Sequence, residues 1–80
     1  MNSPLLDDQV NVNLQRLVEN LVKQVQARMS GRIHAFRVQL LNEGLKLTGR
    51  TKTYYAKQVA QHCVMELTDL PILANSIEVY

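Results

Sequence analysis

IHAFRVQLLNEGLKLTGR, residues 33–50, is the stretch whose reading decides the fold. Phe36, Val38 and Leu40 alternate with Arg37 and Gln39, and Leu45 and Leu47 alternate with Lys46, Thr48 and Arg50. A period of two on both sides of a polar break is the pattern of a half-buried antiparallel strand pair, apolar on one face and basic on the other. Asn42-Glu43-Gly44 supplies the turn, with Gly44 free to take the positive φ that short hairpin loops need. The apolar face requires a cover, and the chain offers a helix on each side of the hairpin.

Upstream, Val10, Leu14, Leu17, Val18, Leu21, Val22, Val25 and Met29 recur in steps of three and four, one stripe of a helix lasting four to five turns. Arg16, Glu19, Asn20, Lys23, Gln24 and Gln26 fill its other side. Ser30-Gly31 ends it, Gly31 being suited to the left-handed conformation, and Arg28 complements the dipole near that end. Residues 1–9 read as a flexible N-terminal segment, with Pro4 and the possible early caps Asp7 and Asp8, ahead of a single domain over residues 10–80.

Downstream, Gly49 falls on the inward phase of the second strand, where a missing side chain permits close approach by a helix backbone. Thr51 or Thr53 caps a second helix, whose buried stripe is Ala56, Val59, Ala60, Cys63, Val64 and Leu67. Its opposite side carries Tyr54, Gln58, Gln61 and Met65. Pro71 stops the helix, and Leu70, Ile72 and Leu73 are apolar enough to close the bottom of the core. A last strand over Asn75–Tyr80 turns Ile77 and Val79 inward. A right-handed crossover makes that strand parallel to the second. The predicted fold class is α+β: a two-layer αββαβ sandwich, a three-stranded mixed sheet with two helices packed on one face.

With 80 residues, one Phe and no Trp, a single aliphatic core is all the chain can build. The lone Cys63 excludes an intrachain disulfide. MNSPLLDDQ has neither a basic n-region nor an apolar h-region, and no run reaches membrane-spanning length. The sequence as written therefore predicts a cytoplasmic location, or a periplasmic or membrane-associated one if it is a piece of a longer exported protein. The net charge of +2 is unevenly spread: residues 32–57 hold six basic side chains against Glu43 alone, and residues 58–80 hold only Glu66, Asp69 and Glu78. Such concentration points to an anionic partner.

No catalytic constellation is apparent, and an enzyme is not expected. His34 and His62 lie far apart in the chain and fit no zinc spacing, so neither metal nor cofactor is expected. Cys63 and His62, adjacent on a helix, diverge by about 100° and make no nucleophile pair. Gly31, Gly44 and Gly49 are isolated and form no phosphate loop. Nucleic acid is a poor fit, because there is no GXXG loop and no outward strand aromatic to stack a base. The candidate anion- or lipid-binding residues are Arg37, Lys46 and Arg50 on the open sheet, with Arg32 and Lys52 at its edges. The alternative is a protein-contact or self-association module using a free sheet edge or the helix face of Tyr54 and Met65.

The run FRVQLLNEGLKLTGRTKTYYAKQVAQHCVMEL, with NSIEV further on, resembles the BON domain, the bacterial OsmY and nodulation module. Gly44, Leu45, Leu47 and Gly49 match its hairpin, Ala56 and Ala60 its helix, and Asn75, Ile77 and Val79 its closing strand. One departure is the Leu67–Pro71 segment, where the family usually has Gly-Val. The resemblance covers residues 14–80 and implies an αββαβ fold, no catalytic residue, and attachment to phospholipid or membranes.

Overall fold

A computed structural model describes residues 4–80, with side chains from Asn13 onward. The elements are α1 (Pro4–Met29), β1 (Ile33–Leu41), β2 (Gly44–Thr51), α2 (Tyr54–Leu67) and β3 (Ile72–Val79). The sheet order is β1-β2-β3, β1 and β2 antiparallel and β2 and β3 parallel, as the hairpin and the strand–helix–strand crossover require. Both helices pack on one face, giving the α+β architecture expected from the sequence. The core joins Leu21, Val25 and Met29 of α1 to Phe36 and Val38 of β1, Leu45 and Leu47 of β2, Ala60 and Val64 of α2, and Ile77 of β3.

α1 begins at Pro4, not Val10, so the backbone of residues 4–9 is helical where a flexible segment was expected; residues 1–3 lie outside the described residues. Asp7 and Asp8 then fall within the helix rather than at a cap. The helix ends as predicted, with Ser30 (φ 52°) and Gly31 (φ 80°) both left-handed.

The hairpin departs from simple alternation at one place. His34 pairs with Arg50 and Arg37 with Thr48, so Ala35 and Phe36 together oppose Gly49 in a β-bulge. Ala35 has φ 52°, the left-handed conformation that glycine takes as the first residue of a G1 bulge. The extra residue puts both Ile33 and Phe36 on the core side, although their spacing of three would otherwise turn them to opposite faces.

Two glycines act differently from their sequence reading. Asn42-Glu43 alone make the turn, and Gly44 already pairs with Leu41 without a positive φ. Its need for hydrogen in place of a side chain comes from Pro71, whose carbonyl oxygen a Cβ would strike and which accepts from Leu45 N at 2.8 Å. Gly49, at φ 154°, is approached by β1 and not by a helix: a Cβ there would lie 3.2 Å from the His34 carbonyl oxygen and 3.3 Å from Phe36 Cα. The bulge is what brings β1 that close.

α2 is capped by Thr53, whose Oγ1 accepts from Ala56 N at 3.0 Å. Thr51, the other candidate, is completely buried and donates from Oγ1 to the Thr53 carbonyl. At the far end Thr68 N donates to Val64 O, and Thr68 Oγ1 accepts from Leu70 N, closing the helix with a turn. β3 starts at Ile72, three residues earlier than the alternation in the sequence suggests. Leu70 and Ile72 pack on the core as expected, but Leu73 is half exposed. The β2–β3 register slips between Leu45–Ile72 and Lys46–Ala74, which makes Leu73 the extra residue of a second bulge. Asn75, on the helix side of β3, donates from Nδ2 to Gln61 Oε1 (3.0 Å) and Lys57 O (3.4 Å), tying strand to helix.

Candidate functional site

The face of the sheet away from the helices is built by the outward phase of all three strands. Reading across, His34, Arg50 and Glu78 form one row, Arg37, Thr48 and Ser76 the next, and Gln39, Lys46 and Ala74 a third. Arg37, Lys46 and Arg50 therefore share this face, as the alternation requires. They are not equivalent. Arg50 Nε lies 3.9 Å from Glu78 Oε2, and its guanidinium carbon sits 4.6 Å from the centre of the Tyr80 ring. A weak exposed charge pair and the ring face thus both engage it, near the end of the central strand. Arg37 is exposed and Lys46 half buried, and neither has an ion-pair partner among the described residues. They occupy diagonal positions, Arg37 opposite Thr48 and Lys46 two residues earlier on β2.

Arg32 and Lys52 lie apart from that face. Both line a cleft of about 500 Å³ with Gly31, His34, Thr53, Tyr55 and Ala56, where the α1–β1 turn meets the start of α2. The sequence treats these two residues as edge charges of the sheet, whereas the fold gives them a concavity of their own. His34 is the bridge, being paired with Arg50 in the ladder and lining the cleft.

Tyr54 and Met65 are both exposed on α2, as expected, but eleven residues separate them, roughly 16 Å along the axis. Met65 borders a separate recess with Gln61, Thr68, Asp69, Leu70, Pro71 and Ile72, in which Tyr54 has no part. Gln61, between them on the stripe, is engaged by Asn75. Tyr54 and Met65 lie on one exposed face of α2, about three turns apart.

His62 is exposed on α2, Cys63 is buried beside it, and His34 is on β1. Among the described residues no group of three His, Cys, Asp or Glu side chains is placed to hold a metal ion. Arg28 reaches across from α1 to Glu66 of α2, Nη1 to Oε2 at 2.7 Å. Glu66 first, and then the nearby Cys63 thiol, raise the guanidinium's pKa from its ordinary value. Among the described residues no helix is long and apolar enough to cross a membrane. No family model, curated protein or solved structure matches the chain.

Proposed function

We propose that the chain is a BON-like, non-enzymatic binding module that attaches weakly to anionic phospholipid surfaces through the open face of its sheet. The observation that carries this reading is a three-stranded face covered by neither helix, on which Arg37 and Lys46 stand without carboxylate partners among the described residues and Glu78 is engaged with Arg50. The face is open and polar, with Gln39, Thr48 and Ser76 between the charges, which suits a headgroup layer better than a buried small molecule. The helix–strand–strand–helix–strand order agrees with the fold that the BON resemblance implies.

Each basic group near an anionic leaflet contributes about 1 kcal/mol, and the effect fades over a Debye length. Binding should therefore be weak and salt-sensitive. Flotation with vesicles of mixed phosphatidylglycerol and phosphatidylcholine, compared with pure phosphatidylcholine, tests it. We expect binding only to the anionic vesicles, weakened roughly 30-fold by Arg37→Gln with Lys46→Gln, from two lost contacts of that size. Equal binding to both vesicles, or none to either at low salt, would overturn the reading.

A further inference from the structure

We infer that the cleft between the α1–β1 turn and the start of α2 is a discrete phosphate-binding site, with Arg32 and Lys52 as its cationic ligands. The inference rests on the reading of the chain as an anion-binding module and adds a ligand class, the phosphate group, and a second location. That group can come from a lipid headgroup or from a soluble phosphate ester.

Ile33–Thr51 is the last pair of the β1–β2 ladder, Arg32 precedes it on one strand, Lys52 follows it on the other, and both line the cleft. Two like charges thus share one concavity. No carboxylate lines the cleft, and among the described residues neither Arg32 nor Lys52 makes an ion pair. A bound phosphate would offset their repulsion, and a guanidinium with an ammonium is a suitable pair of donors for it.

The surroundings are consistent with such a ligand. Thr53 Oγ1 is occupied by Ala56 N, so the N–H groups of Tyr54 and Tyr55 ahead of it have no intrahelical acceptor. No acidic residue occupies the first turn of α2 to compete for them. The Tyr55 side chain and His34 add donors on the walls, and Gly31 leaves one side open, with nothing within 4 Å of where a Cβ would stand. The helix end contributes only a partial charge; the two cations and the concavity carry the site.

The test is amide-shift titration of the labelled protein with inorganic phosphate at constant ionic strength, against sodium chloride. Arg32→Gln and Lys52→Gln are compared with Arg37→Gln, all three exposed in the fold. We expect saturable shifts at Arg32, Lys52 and residues 53–56, weakened about tenfold or more by either cleft variant, as loss of a hydrogen bond to a charged group implies, and unchanged by Arg37→Gln. Shifts that never saturate, spread over all basic residues, or survive both cleft variants would overturn the inference.

Flotation of the same variants separates the two proposals and the two phosphate sources. Phosphate binding in the cleft without any vesicle binding supports the site, assigns it a soluble ester and sinks the membrane reading. Cleft binding together with stronger flotation on phosphatidic acid than on phosphatidylglycerol, lost in Arg32→Gln, supports the site and assigns it a lipid headgroup. Vesicle binding that needs Arg37 and Lys46 but is indifferent to Arg32 and Lys52, with no saturable phosphate shifts, sinks the cleft and leaves the membrane reading standing.

Discussion

Ala35 and Gly49 meet across the β1–β2 ladder, and each holds a backbone conformation that L side chains rarely adopt. Gly49→Ala would combine φ 154° with a Cβ 3.2 Å from the His34 carbonyl oxygen. Strain of that kind costs about 1–3 kcal/mol. We expect a fall of that size in urea-unfolding stability with an unchanged slope. At Ala35 relief of left-handed strain by glycine is about 1–2 kcal/mol, against about 0.4–1 kcal/mol of added unfolded-state freedom. Ala35→Gly should thus be neutral or mildly stabilising, while Ala35→Val, β-branched at φ 52°, should lower stability by more than about 1 kcal/mol. A Val variant as stable as the Gly one would show that the bulge does not hold its left-handed residue. The glycine positions are legible in the chain, but their reasons are not. Gly44 answers to Pro71, 27 residues later, and Gly49 to a bulge that only packing reveals. The one local hint is the apolar spacing of three between Ile33 and Phe36 inside a run of period two.

α2 owes its start to Thr53, and replacing that cap with alanine removes the acceptor for Ala56 N. Thr53→Ala should cost about 1 kcal/mol in chemical denaturation, the usual worth of such a cap. Asn75→Ala should weaken the link between β3 and α2 through its bonds to Gln61 and Lys57. Native-state hydrogen exchange should then show faster exchange in β3 while the β1–β2 amides stay protected. If both strand pairs loosen equally, Asn75 is not a local tie. Element types and order follow from hydrophobic period alone, because each helix buries one stripe and each strand one phase. The boundaries follow less well. α1 is already helical at Pro4, before the stripe becomes sustained, and β3 begins with Ile72-Leu73, a pair whose bulge breaks the alternation. Thr53 was one of two candidates, and burial of Thr51 decided between them.

For the molecule as a whole, the positive charge of residues 32–57 is divided between two places, the open sheet face with Arg37 and Lys46 and the end cleft with Arg32 and Lys52. The face was legible, since strand phase assigns it directly. The cleft was not, because it depends on how the α1–β1 turn packs against the start of α2. Raising salt from about 15 mM to 150 mM shortens the Debye length to about 8 Å, so binding through the exposed face should drop steeply over that range. Vesicle flotation across a salt series measures it. The two bulges have one more consequence. They lie on the two outer strands, β1 near its start and β3 at its first residues, so they interrupt the free edges at opposite ends of the sheet. Each edge keeps only a short regular run, Arg37–Leu41 on one side and Ala74–Val79 on the other. An interrupted, locally twisted edge is a poor template for another strand. A three-stranded sheet finished in this way disfavours strand addition, and sedimentation at rising concentration should find it as single chains.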